Sequence, residues 1–190
     1  MEKMIEIVAI IGPSGSGKDT ILNGVLEKAS AAQKIVYCTT RPKRENEIDG
    51  KDYHFYSNED FLKLIEEDKF IAVSCFNGWF YGVLKEHLST EKINIGVFNP
   101  TDVQTIEESI DENSDIFLTT FLVETTDRNR LVRQLLRENS PNIDEIIRRY
   151  GTDKRDFQLY NLDFDYIRIE NNTTDDYDNA VQTIISVNSL

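Results

Sequence analysis

The apolar run Glu6–Ile11 (EIVAII) leads without a break into GPSGSGKDT, residues 12–20, and no other stretch limits the possible folds so tightly. A short, continuous β-branched run reads as a strand buried on both faces, the kind that parallel sheets use. Downstream, Ile21, Leu22, Val25 and Leu26 fall at helical spacing over about 19–29. A strand, a glycine-rich turn and a helix start, in that order, make a cradle for phosphate. Backbone N–H groups of the turn and the helix N-terminus face the anion. Gly12, Pro13, Ser14, Gly15, Ser16, Gly17, Lys18, Asp19 and Thr20 are therefore the candidate phosphate-binding residues, with Lys18 supplying a mobile positive charge. The usual G-x-x-x-x-G-K loop continues with Ser or Thr, whose hydroxyl sits on Mg²⁺. Here Asp19 holds that place. A carboxylate is also a hard oxygen ligand, so either Asp19 holds Mg²⁺, directly or through water, or the metal rests mainly on substrate phosphates and waters; Thr20 is expected to bond the α-phosphate.

The remaining pattern alternates strands with helices. Strands are expected at 34–38, 93–98, 116–123 and 163–170. Helices are expected from Ser57, from about Leu84, over 101–110, from an Asp127 cap to about Arg137, from near Ile143, and at the end of the chain. FIAVSCF and WFYGV flank Asn77-Gly78, a strong hairpin signal. Alternation of this kind implies βαβ units around a parallel sheet. At 190 residues one α/β domain suffices. Its 34 acidic against 21 basic residues give a net charge of -13, which repels nucleic acid and anionic membranes. No apolar run approaches the length that spans a bilayer. Cys38 and Cys75 lie in apolar surroundings and read as buried free thiols in a reducing, cytoplasmic setting.

In so acidic a chain a cluster of cations stands out. Arg41, Lys43 and Arg44 share one polar loop, with Tyr53 after it and Tyr81 at the end of the hairpin. Guanidinium forks and tyrosine hydroxyls suit a phosphate. The segment TTRPKRENEIDGKDYHFYS (39–57), together with GPSGSGK and NGWFYG, resembles the guanylate kinase family nearly end to end. That resemblance implies a P-loop nucleoside monophosphate kinase: a five-stranded parallel core (1–38 and 83–190), an acceptor-binding subdomain (39–82) and a lid (133–148). It implies ATP and Mg²⁺ as cofactors, a monomer or homodimer, and Arg41, Arg44, Tyr53 and Tyr81 on the acceptor's phosphate. R-x-x-x-R appears as Arg133 and Arg137, with Arg148 beyond, and these with Lys18 would stabilise the transferring phosphoryl group. Asn171, after the last strand, matches the segment that contacts ATP's adenine.

The match departs where relatives read guanine. Ala72 stands in place of a carboxylate, Val83 in place of a hydroxyl, and Asn99 in place of the acid ending the central strand. These three positions are expected to decide which acceptor is taken. The departures also look like those of ribose 1,5-bisphosphate phosphokinases, which gives a second candidate acceptor. A guanylate-kinase-like module that binds a phosphorylated partner without catalysis is the reading of another class.

Overall fold

A computed structural model describes residues 4–111, 114–137, 139–159 and 162–190. Its centre is a five-stranded, all-parallel sheet of β1 (Ile5–Ile11), β2 (Ala32–Lys34), β7 (Ile93–Val97), β8 (Ile116–Glu124) and β9 (Ile167–Glu170), in the order β2-β7-β1-β8-β9. β1 lies in the middle, and its alternate residues feed two cores. Ile5, Ile7, Ala9 and Ile11 join one buried cluster, Val8 and Ile10 the other, which explains an apolar run without polar alternation. Helix α1 (Lys18–Lys28) leaves the loop after β1 and packs Ile21, Leu22 and Val25 against the second cluster, together with Val181 and Ile184 of α6 (Thr174–Val187). β7 and β8, consecutive in this sheet, flank β1 on opposite sides, so the loop opens at a point where strand order reverses, the usual ligand crevice of such sheets.

A second, mixed sheet of β3 (Cys38–Thr39), β4 (His54–Phe55), β5 (Phe70–Phe76) and β6 (Trp79–Leu84) stands beside the first. Asn77 and Gly78, at φ 52° and 80°, make the tight turn of its β5–β6 hairpin. Helix α2 (Asn58–Glu66), capped by Ser57, covers this sheet. Its Phe61 is fully buried and stacks on Phe70 and Phe80 at centroid distances of 4.5 and 5.6 Å. Helices α3 (Pro100–Ser109), α4 (Asp127–Leu136) and α5 (Ile143–Leu159) complete the chain.

Several sequence expectations are corrected. The strand anticipated over 34–38 divides: the chain leaves the central sheet after Lys34 and enters the second at Cys38. Only a 3₁₀ turn, Lys85–His87, follows Leu84, because the Ser89 hydroxyl accepts the N–H groups of Glu91 and Lys92 and holds the segment as a loop. Thr126, not Asp127, caps α4. Cys38 is buried as anticipated, but Cys75 is exposed on β5; both are free thiols. No described helix is long and apolar enough to cross a membrane.

Since Phe61 carries the small core of the second sheet, Phe61→Ala should cost about 3–5 kcal/mol, read as a lower urea midpoint of unfolding.

Candidate active site

The loop between β1 and α1 is shaped by its glycines. Gly15 and Gly17 have φ of 79° and 94°, values that L side chains rarely adopt. A Cβ on Gly15 would also meet the Arg130 carbonyl at 2.6 Å, and one on Gly17 would strike the Asn171 amide. The loop's carbonyls are tied outward. Arg130 Nε donates to Ser14 O (3.1 Å), Arg133 Nη1 to Ser16 O (3.1 Å), and Asn171 Nδ2 to Ser16 O (2.7 Å). Lys18 folds back over the loop, its Nζ donating to Gly12 O at 2.6 Å and Pro13 O at 3.0 Å. Burial lowers the Lys18 pKa to about 8, against the opposing pull of Asp19 and Asp153.

Two cavities meet at this loop. The first, of about 920 Å³, is lined by Ser14, Gly15, Gly17, Lys18, Asp19 and Thr20 from the loop and α1, faced by Arg133, Arg137, Arg149 and Asn171. The second, of about 790 Å³, runs from Gly12, Ser14 and Lys18 past Tyr53 and Tyr81 to Ser74, Asn99 and Asp102. Asp19 and Thr20 are exposed on the first cavity. Among the described residues no three His, Cys, Asp or Glu side chains converge as a metal cage. The donor set therefore suits a cation held mainly through phosphates, with Asp19 offering one carboxylate.

The sequence-derived residues fall into distinct groups. Tyr53 and Tyr81 line the second cavity edge to face, 6.1 Å apart, and Asn99 lines it too while capping α3. Arg41 is buried beside them. Its Nη2 donates to Glu47 Oε1 at 2.6 Å and its Nη1 to Pro42 O, with its guanidinium 5.2 Å over the Tyr53 ring. Arg44 is exposed and touches neither cavity, though its backbone N–H donates to the same Glu47. Arg133 lines the first cavity but spends donors on loop carbonyls and on Asn171 O (2.8 Å). Arg148 lies outside both cavities, paired with Glu145 at 2.7 Å, whereas its neighbour Arg149 lines the first. Ala72 and Val83 are corrected as pocket residues. Both are buried in the same core cluster as Phe98 and Val103, because α3 packs on this part of β5, and neither lines these two cavities.

Sequence reasoning missed three groups. Arg130, 4% exposed, ion-pairs with Asp153 of α5 at 2.7 Å, and Asp153 also accepts the Ser14 N–H at 2.8 Å. The signal was faint: Arg130 lies three before Arg133 on one face of α4. Asp102 and Tyr37 also line the second cavity, and nothing in their local sequence marks them.

The sequence model of the family described as guanylate kinase matches residues 4–188. The chain is 30% identical over 183 residues to the guanylate kinase of Thermotoga maritima, covering 96% of this chain and 85% of that protein. It is 32% identical over 186 residues to the guanylate kinase of Caldanaerobacter subterraneus subsp. tengcongensis, with coverages of 95% and 85%. The crystal structure of guanylate kinase from Anaplasma phagocytophilum superposes with a TM-score of 0.63 at 20% identity, covering 100% of this chain and 87% of that one, a likeness of fold.

Because Ala72 is only 2% exposed, Ala72→Glu should force a carboxylate into the core and destabilise the protein by about 3 kcal/mol or more, measured by urea unfolding at neutral pH.

Proposed function

The chain belongs to the guanylate kinase family and is a nucleoside monophosphate kinase, and we propose that it transfers the γ-phosphoryl group of ATP to the phosphate of GMP. One observation carries the reading: the two cavities share Ser14 and Lys18, so a donor in the first and an acceptor in the second meet at one cation. An acceptor phosphate oxygen attacks the γ-phosphorus, the bond to the β–γ bridging oxygen breaks, and ADP leaves. A phosphate nucleophile is already anionic near neutral pH, so positioning and charge neutralisation are what the protein has to supply.

In this reading Gly12–Thr20 hold the ATP phosphates through backbone N–H groups, and Asn171 and Arg133 keep the loop in shape at the nucleoside end. Lys18 exchanges its two carbonyl partners for β and γ oxygens. Arg137, with Arg148 once its pair with Glu145 opens, offsets the charge on the transferring group. Arg41 exchanges Glu47 for the acceptor's phosphate, and Arg44, Tyr53 and Tyr81 complete that oxygen shell. Mg²⁺, typical of the family, would neutralise the phosphates, with Asp19 as its side-chain ligand. The named relatives are all guanylate kinases, and ribose 1,5-bisphosphate gains no support from them.

Lys18→Met should lower kcat by about a hundredfold or more. It should not lower the Tm, because its depressed pKa means that the folded state pays to keep Lys18 charged below about pH 8. For the wild type, kcat/KM for ATP, which reports the free enzyme, should decline as pH rises through about 8 and Lys18 loses its proton. Undiminished transfer by Lys18→Met in a coupled ADP-release assay with GMP would refute this assignment of the loop.

A further inference from the structure

Asp102 sits in the first turn of α3, on the wall of the second cavity, and is only 3% exposed. Its Oδ2 accepts from Asn99 Nδ2 at 2.8 Å and, weakly, from the Tyr37 hydroxyl at 3.5 Å, and Ser74 of β5 lines the same cavity. Its Oδ1 is buried with no hydrogen-bond partner among the described residues. A buried carboxylate oxygen without a donor is expensive, and in a folded protein it calls for an explanation.

Helix capping does not supply one. An acid at this position of a capping box reaches back to the backbone N–H of the cap residue. The protein builds that arrangement at α6, where Asp176 accepts the backbone N–H groups of Asn172 and Thr173 on the surface. Asp102 does otherwise: Asn99 caps α3 through its own side chain, accepting the Asp102 N–H at 2.8 Å, and the Asp102 carboxyl is turned toward Tyr37 on the cavity wall. Burial raises its pKa to about 6, so it is still mostly ionised at neutral pH.

We propose that Asp102 is a specificity-determining residue that reads the base of the acceptor, its carboxylate accepting the adjacent N1–H and N2–H donors of guanine. The inference rests on the reading of GMP as acceptor. The Tyr37 hydroxyl, held by a long bond, yields its place over the carboxyl to the base, and Oδ1 gains the donor it lacks. Guanine offers a carboxylate two neighbouring donors, hypoxanthine offers one, and adenine turns an acceptor toward it at N1. A carboxylate lodged among polar side chains thus favours guanine over hypoxanthine, and hypoxanthine over adenine.

The test compares wild type with Asp102→Asn, which keeps the shape but replaces an acceptor oxygen by a donor amide. Initial rates are measured with GMP, dGMP, IMP and AMP, each also titrated against ATP. The expected result is a rise in KM for GMP of about tenfold or more, a smaller change for IMP, a GMP-to-IMP ratio of kcat/KM reduced by about tenfold, and a KM for ATP within about twofold of wild type. dGMP should follow GMP, since the 2′-hydroxyl plays no part. If Asp102→Asn does not fold, Asp102→Ser is put through the same four-substrate comparison. A wild type that takes GMP, paired with a variant whose GMP-to-IMP ratio stays within about twofold, overturns the role of Asp102 alone. Loss confined to ribonucleotides, with dGMP unaffected, overturns it in favour of a ribose contact. A wild type that phosphorylates none of the four overturns both this inference and the GMP reading.

Discussion

The orientation of the six residues between β1 and α1, Gly12 to Gly17, governs most of what surrounds them. A glycine-rich loop binds anions only if its N–H groups point inward, which leaves its carbonyls needing donors elsewhere. Here those donors come from distant parts of the chain. Arg130 and Arg133 of α4 and Asn171, just beyond β9, bond Ser14 and Ser16 carbonyls from the outside. Arg133 also bonds Asn171 O, so α4 and the end of β9 are tied to each other as well as to the loop. The central sheet brings these pieces together: β8 leads into α4, and β9 pairs with β8 so that the Asn171 N–H donates to Glu124 O at 2.9 Å. Strand order, helix placement and loop conformation thus form one linked set.

The second sheet obeys a different constraint. The cluster it shares with α2 has very few buried side chains, Cys38, Phe61 and Leu84, with aromatic rings packed around them. Such a small core gives modest stability, and two other contacts hold the sheet in place. β3 follows directly from the crossing segment after β2, and α3 packs on β5. Both contacts lie at the second cavity, through Tyr37 on the crossing segment and Asp102 on α3. The elements that join the sheets are therefore the ones that present polar groups to the second cavity.

How much of this was legible in the sequence depends on the range of the interactions. The loop, the five-stranded parallel sheet and the hairpin turn were legible because each is encoded locally, by glycine spacing, β-branched runs and Asn77-Gly78. The helix expected after Leu84 failed because Ser89 and Asn94 hold that segment by side-chain bonds that a periodicity reading does not weigh. Ala72 and Val83 failed differently. Aligning motifs assigns positions along a strand, but whether a position meets solvent or core depends on what packs over it, here α3. Asp102 was invisible for the same reason in reverse: as an acid in the first turn of a helix it looks like a favourable charge at the N-terminus. Only its burial and its partners separate it from Asp175 or Asp176 at the start of α6.

Buried polarity gives the last step. Among the described residues, the buried polar and charged ones are Ser16, Thr39, Arg41, Asn94, Asp102, Thr120, Arg130 and Asn171. Asn94 is structural, its amide donating to Glu6 O and Ser89 O at the far end of the sheet from the loop. Ser16, Arg130 and Asn171 shape the phosphate loop, Thr39 accepts the Arg41 N–H, and Arg41 and Asp102 stand at or beside the second cavity. A chain seeking stability alone would fill such places with apolar side chains, since burying a charge costs more than it returns unless the charge is fully partnered. Most of these residues stand at or beside the loop and the two neighbouring cavities that share Lys18, itself a cation held against its own desolvation. Concentration of unfavourable terms at one place, on a scaffold otherwise locally consistent, is what a site selected for phosphoryl transfer should show. It also explains how a chain of net charge -13 can take two anionic substrates. The acidic excess lies on the solvated surface, where water screens it, while backbone dipoles, Lys18 and a few arginines act at short range inside the clefts.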